Sequence, residues 1–214
     1  QGAYGLKVCI VTSQYGNIWS GLGTYATNLI DALADKGHNV CVICPKIDRR
    51  KAHPKVSLAD TSSIRITPSL GNWMQLSFLF NKIIVDLANK ESFDIIHFTD
   101  ARESLFCGVG KTQMIGTMND YYFIEAPRTP FYYKKFYTDW IKRWAFYNVS
   151  HFFEKRAIRK LSHIIANTRY VATSIATGYN IDSSRIKTIY YGLDIEKENS
   201  DQSKNPLNGD TSIL

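Results

Sequence analysis

Short apolar runs of strand length alternate with stretches of helical period along most of this chain, and few architectures accept that alternation. The first unit is complete in itself. Leu6-Lys7-Val8-Cys9-Ile10-Val11-Thr12 is a strand-length run, and a polar, glycine-containing loop follows from Ser13 to Gly21. Leu22, Tyr25, Ala26, Leu29, Ile30 and Leu33 then recur at helical spacing, with Asp31, Asp35 and Lys36 on the opposite side. Gly37 supplies the helix stop, and Val40 to Cys44 forms the next run before Pro45. This is a β-α-β unit.

The alternation continues. A third strand is expected at Ser63 to Thr67, after a polar loop rich in Arg49, Arg50, Lys51 and Lys55. Leu76, Leu79, Phe80, Ile83 and Leu87 mark a helix, Phe93 to Phe98 a buried strand, Arg102 to Val109 a short helix, and Gln113 to Thr117 another strand. A long helix is expected within Tyr133 to Leu161 and a strand at His163 to Asn167. A helix through Val171 and Ile175 ends at Gly178, and a last strand covers Ile186 to Tyr190. The fold class is therefore α/β, a Rossmann-like, doubly wound and mostly parallel sheet. Such a sheet holds its ligand in the crevice beyond the carboxyl ends of the strands. That directs attention to loops 13–23, 99–103, 118–132 and 168–170. From Glu196 to Asp210 the chain turns polar, so residues 1–194 read as one domain and 195–214 as a linker with the first residues of a second.

Composition excludes several classes. No apolar run reaches the roughly 18 residues a membrane span needs, and no signal peptide is visible, which makes a cytoplasmic protein the expectation. Cys41 and Cys44 form a C-x-x-C, yet they sit in an apolar strand where residues three apart face opposite sides. A redox pair needs a helix start and a zinc site a second pair, so these are core residues in a reducing compartment. The five histidines show no metal-ligand spacing, and no metal or cofactor is expected. A formal charge of +7 admits nucleic acid, anionic lipid or a phosphate-bearing substrate without choosing among them.

Gly21-Leu22-Gly23-Thr24-Tyr25-Ala26 satisfies the G-x-G-x-x-G/A pattern of dinucleotide sites. Two features argue against a nicotinamide-dependent dehydrogenase. The first glycine lies well past the strand end at Thr12, and Cys44-Pro45-Lys46 offers no carboxylate for a ribose. Glycines at a helix start still leave backbone N–H groups open to an anion such as a diphosphate. The bland reading is a tight turn with close helix packing.

Ser20-Gly21-Leu22-Gly23-Thr24-Tyr25, Lys36-Gly37-His38-Asn39-Val40, Asp94-Ile95-Ile96-His97, Thr117-Met118-Asn119-Asp120 and Lys187 to Asp194, in that order, resemble motifs of the N-terminal domain of family 4 glycosyltransferases. Ser20-Gly21-Leu22-Gly23-Thr24-Tyr25 and Lys36-Gly37-His38-Asn39-Val40 are similar to that family's opening. Asp94-Ile95-Ile96-His97 resembles its aspartate, two apolar residues and histidine, and Thr117-Met118-Asn119-Asp120 its Thr-x-His-Asp. Lys187 to Asp194 resembles the strand and Asn-Gly-Val-Asp that close the domain. The resemblance implies one half of a two-domain GT-B architecture. It implies a sugar moved with retention from a nucleotide-diphosphate sugar, as co-substrate, to a hydroxyl on a glycan or lipid. The donor-clamping half is expected in a C-terminal domain, so this chain alone is expected to be inactive. Asn119 replaces the family's histidine and cannot carry a proton at neutral pH; Tyr191 replaces its asparagine.

On this reading Ser20, Gly21, Leu22 and Gly23 bind the donor phosphates, Asn119 and Asp120 are the catalytic candidates, and Asp100, Tyr121 and Tyr122 bind the acceptor. Asp100 with Glu103 is alternatively a capping box for the short helix, and His97 a hydrogen-bonded core histidine. Residues 121–160 hold half of the chain's aromatic side chains, interleaved with Lys134, Lys135, Lys142, Arg143, Lys155, Arg156, Arg159 and Lys160. That mixture suits peripheral contact with an anionic membrane at the cytoplasmic face, or else a covering of the sheet that shapes the acceptor pocket. No RNA- or DNA-binding pattern appears, so no nucleic acid is expected. The competing classes are a non-catalytic nucleotide- or phosphate-binding Rossmann module, a dehydrogenase, and a GT-B epimerase or phosphorylase.

Overall fold

A computed structural model describes residues 5–16, 20–45, 47, 49–62, 72–108, 110–125 and 140–192. Strands β1 (Lys7–Val11), β2 (Asn39–Ile43), β3 (Ser57–Leu58), β4 (Ile95–Phe98), β5 (Gln113–Met118), β6 (His163–Ala166) and β7 (Ile186–Thr188) form one sheet in the order β3-β2-β1-β4-β5-β6-β7. Every pairing is parallel. The order reverses between β1 and β4, which is where a doubly wound sheet opens its crevice. The helices are α1 (Gly21–Asp35), α2 (Asn72–Ala88), the short α3 (Tyr122–Glu125), α4 (Trp140–Lys160) and α5 (Arg169–Tyr179). No described helix is long and apolar enough to cross a membrane.

Period-two alternation sorts β1 and β2 onto two cores. Val8, Ile10, Val40, Val42 and Cys44 pack with Ile30 and Ala34 of α1. Cys9, Val11, Cys41 and Ile43 pack with Phe80 and Ile84 of α2, Ile158 of α4 and Val171 and Ile175 of α5. Cys41 and Cys44 thus face opposite cores, as free buried thiols. Burial pushes the thiols of Cys9 and Cys41 up and that of Cys107 to about 12, which suppresses the reactive thiolate.

Three expectations need correction. The third strand is Ser57–Leu58, inside the stretch read as a loop; it is too short to show a period, and Ser63 to Thr67 lies outside the described residues. The helix through Val171 does not stop at Gly178 but runs to Tyr179, ended by Asn180 at φ 52. Gly178 serves close packing instead, because a Cβ there would lie 2.6 Å from Ile124 Cγ2. The segment expected as a helix over 102–109 is a single 3-10 turn, Ala101–Ser104. By contrast Gly37 does stop α1, at φ +84, with the His38 amide donating to the Leu33 carbonyl at 3.1 Å. The proposed boundary near 194 lies outside the described residues.

Candidate functional site

The carboxyl ends of β1, β4, β5, β6 and β7 bring four of the flagged loops to one edge of the sheet. After β1 the chain runs through Thr12 and the buried Gln14 before α1 begins. Ser20 caps α1 with extended backbone, φ −152 and ψ 161, and its Oγ accepts from the Gly23 amide at 3.3 Å. The same hydroxyl donates to Gln14 Oε1 at 2.9 Å, tying the helix start to the end of β1. Gly23 is therefore part of the cap. Among the described residues, the amides of Gly21 and Leu22 have no protein acceptor, as the first turn of a helix requires. A Cβ built on Gly21 meets nothing within 4 Å among the described residues, so the helix start is open at that position.

At the ends of β4 and β5 an arginine organises the carboxylates. Asp100 caps the 3-10 turn by accepting from the Arg102 amide at 3.0 Å. Arg102 folds back and donates from Nε to Asp100 Oδ1 at 2.8 Å and from Nη2 to Oδ2 at 2.7 Å. Its Nη2 also reaches Asp120 Oδ2 at 3.5 Å, its Nε lies 3.9 Å from Glu154 Oε2, and its guanidinium sits 5.4 Å over the Phe123 ring. Asp100 is buried and spoken for by Arg102, whereas the Asp120 side chain stays 44% exposed at the crevice. Glu103 is not a surface capping partner: it is buried, and its Oε2 has no hydrogen-bond partner among the described residues. Burial raises the Glu103 carboxyl well above the usual range and lifts Glu154 to about 8. The Tyr179 hydroxyl donates to Glu154 Oε1.

A second hydrogen-bonded line crosses the sheet end. His97 Nε2 pairs with Thr117 Oγ1 at 2.9 Å, and Thr117 Oγ1 with the Tyr25 hydroxyl at 2.8 Å. Burial depresses His97 to about 4, so it is a neutral, hydrogen-bonded core histidine. Asn119 is held on three sides. Its Nδ2 donates to the Thr99 carbonyl at 3.0 Å, its Oδ1 accepts from the Tyr191 hydroxyl, and its carbonyl accepts from Asn167 Nδ2 at 2.9 Å. Asn119 and Tyr191, the two departures noted in the sequence, are in direct contact. Tyr121 packs edge-on against Tyr170 at 4.9 Å, beside Asp120. Tyr122 opens α3.

Sequence reasoning missed Arg102 and Tyr25 as site residues, and it noted Tyr191 without its contact to Asn119. Arg102 lies two residues after a strand-end aspartate, which is the one local signal available. Nothing in the spacing announces that residues 25, 119 and 191 meet.

The model of Glycosyltransferase Family 4 matches residues 19–197. The chain belongs to glycosyltransferase family 4. Solved structures agree on the fold. Sucrose-phosphate synthase from Thermosynechococcus elongatus superposes at TM-score 0.63 and 13% identity, over 94% of this chain and 53% of that one. The catalytic domain of starch synthase IV from Arabidopsis thaliana, bound to ADP and acarbose, gives 0.59 at 14% identity, over 91% of this chain and 53% of that one. WaaG, a glycosyltransferase involved in lipopolysaccharide biosynthesis, gives 0.57 at 13% identity, over 89% and 46%. This family 4 chain spans about half the length of these proteins. It shares their Rossmann-like GT-B domain. No curated protein matches it.

Proposed function

We propose that this chain is the acceptor-side half of a glycosyltransferase that moves a sugar from a nucleotide-diphosphate sugar to a hydroxyl on a glycan or lipid, with retention. Family membership supports transfer of a sugar in general. The observation that carries the finer reading is the start of α1, where among the described residues the amides of Gly21 and Leu22 have no acceptor, a Cβ on Gly21 would meet nothing within 4 Å, and the helix begins at the carboxyl edge of the sheet. Two amides at the positive end of a helix suit a diphosphate that gains charge as the sugar departs. Ser20 and Gly23 form the cap that holds those amides in place. The acceptor oxygen forms a bond to the anomeric carbon while the bond to phosphate breaks, and the acceptor proton passes to the leaving phosphate oxygen. No side chain here need act as base, which suits an asparagine at 119. Asp120 lines the acceptor side with Tyr121, and Asp100 acts through Arg102; the side chain of Tyr122, the other acceptor candidate, lies outside the described residues.

The half that grips the nucleotide would be a C-terminal domain, and this chain alone would transfer no sugar. In a protein carrying both domains, Gly21→Val should leave the fold intact, because nothing lies within 4 Å of that Cβ. Transfer should fall about 100-fold as the side chain displaces the phosphate from the amides. Wild-type turnover would remove the phosphate-loop claim.

A specific observation also favours contact with a cytoplasmic membrane face. Every charge in α4 other than Glu154 is a lysine or arginine, and Glu154 is fully buried. Trp144, Val149 and Phe152 are exposed on the same helix, ahead of Arg156, Arg159 and Lys160. Exposed rings beside basic side chains match an anionic lipid surface, although Arg159 and Lys160 also donate to the Tyr179 and Leu105 carbonyls. Lys134 and Lys135 lie outside the described residues.

A further inference from the structure

Tyr191 is an exposed aromatic ring that the protein has gone to some length to hold still. It follows β7, at the same edge of the sheet as Asn119, and is 44% exposed. Its ring centroid lies 4.7 Å from that of Tyr25, with 32° between the planes, so one of its faces is covered. Its hydroxyl donates to Asn119 Oδ1, whose own amide is fixed to the Thr99 carbonyl at 3.0 Å. Tyr25 is anchored in turn by Thr117 at 2.8 Å. Burial, with Tyr25 next, pushes the Tyr191 hydroxyl up to about 12, so it remains a donor to Asn119 throughout the working pH range. A side chain tied at its hydroxyl and backed on one face leaves ring carbon, not a polar tip, exposed at this edge of the sheet.

We propose that Tyr191 is a stacking platform for a pyranose ring, oriented by Asn119 and Tyr25. A pyranose offers a face of C–H groups that suits an aromatic face, and hydroxyls at its rim. The half-exposed Asp120 carboxylate and the first-turn amides of α1 stand on the same edge to receive such hydroxyls. The ring carries no charge and is fixed before binding, so little ordering is lost when the sugar docks. Asn119 is thereby a positioning residue for Tyr191, since its carboxamide is consumed within the protein. The sugar is either the one being transferred or one in a glycan acceptor; the chemistry is shared. The proposal rests on the transferase reading for that choice only.

Saturation-transfer NMR on the 214-residue chain tests it. The probes are methyl α-D-glucopyranoside, methyl β-D-galactopyranoside, methyl α-D-mannopyranoside and UDP-glucose. At least one sugar ring should receive saturation, and Tyr191→Ala should weaken its binding about fivefold, the scale of one aromatic contact. Tyr191→Phe keeps the ring and should retain most binding, while Phe78→Ala, at an exposed ring on α2, should change nothing. Circular dichroism checks each fold, and Tyr191→Leu replaces the alanine variant should that one unfold. Loss confined to the methyl glycosides assigns the ring to the acceptor, and loss confined to the glucose protons of UDP-glucose assigns it to the donor. No saturation of any sugar, or equal saturation in the folded Tyr191→Ala or Tyr191→Leu variant, overturns the platform. Sugar binding that needs Tyr191 in a two-domain protein incapable of transfer would leave the platform standing and remove the transferase.

Discussion

Replacing Glu154 by glutamine should flatten the pH dependence of stability above neutrality. Glu154 is fully buried, accepts from Tyr179 at one oxygen and has no hydrogen-bond partner at the other. Burial raises its carboxyl from 4.5 to about 8, against a smaller opposing pull from Arg102. Between those values the folded chain keeps a proton that the unfolded chain has released. Stability therefore falls as pH rises, by about 1.4 kcal/mol per pH unit for one such group. His97 acts in the opposite sense: depressed from 6.5 to about 4, it costs stability as pH falls through that window. Above pH 6.5 its contribution is constant, so the clean interval is pH 6.5 to 8. There Glu154 alone should cost wild type about 2 kcal/mol, and Glu103, raised in the same direction by burial, adds to the slope. Glu154→Gln keeps the acceptor for Tyr179 and puts an amide where the protonated oxygen was. Urea unfolding at pH 6.5, 7.2 and 8, at constant ionic strength, reads the difference. The variant should gain on wild type by about 2 kcal/mol across the interval. A constant difference between the two proteins would show that Glu154 is ionised in the fold.

Two further tests concern packing and surface. Gly116→Ala should cost about 1–3 kcal/mol in urea unfolding, since its Cβ would lie 2.7 Å from Leu161 Cδ1 and 3.0 Å from Ala101 Cα. Adding Ala101→Gly should restore part of that loss, and an unchanged midpoint in Gly116→Ala would contradict the close approach. The chain should co-sediment with phosphatidylglycerol vesicles at about 0.01 M salt and release at about 1 M, where screening shortens from about 30 Å to about 3 Å. Phe152→Ser with Arg156→Glu should weaken it; no sedimentation of wild type at low salt would refute the membrane face.

The alternation of period two and period 3.6 made the β-α-β frame legible, because each strand and helix declares its buried face locally. The first glycine segment was legible for the same reason: a cap and the helix it opens lie within a few residues. Where an element was too short for a period, as at Ser57–Leu58, pattern had nothing to register. The role of Asp100 was only half legible. Its cap is local, but its capture by Arg102 depends on a turn geometry that spacing does not encode.

What the linear order of residues determined by itself is the sheet, its two apolar faces and the loops at its carboxyl edge, since those follow from short-range period and handed crossovers. Only the tertiary structure decided which side chains from those loops meet. Asn119 and Tyr191 stand 72 positions apart and share a hydrogen bond. Arg102 and Glu154 approach across 52. Such pairings are set by strand order and register, which join segments through space and leave no trace in the spacing along the chain.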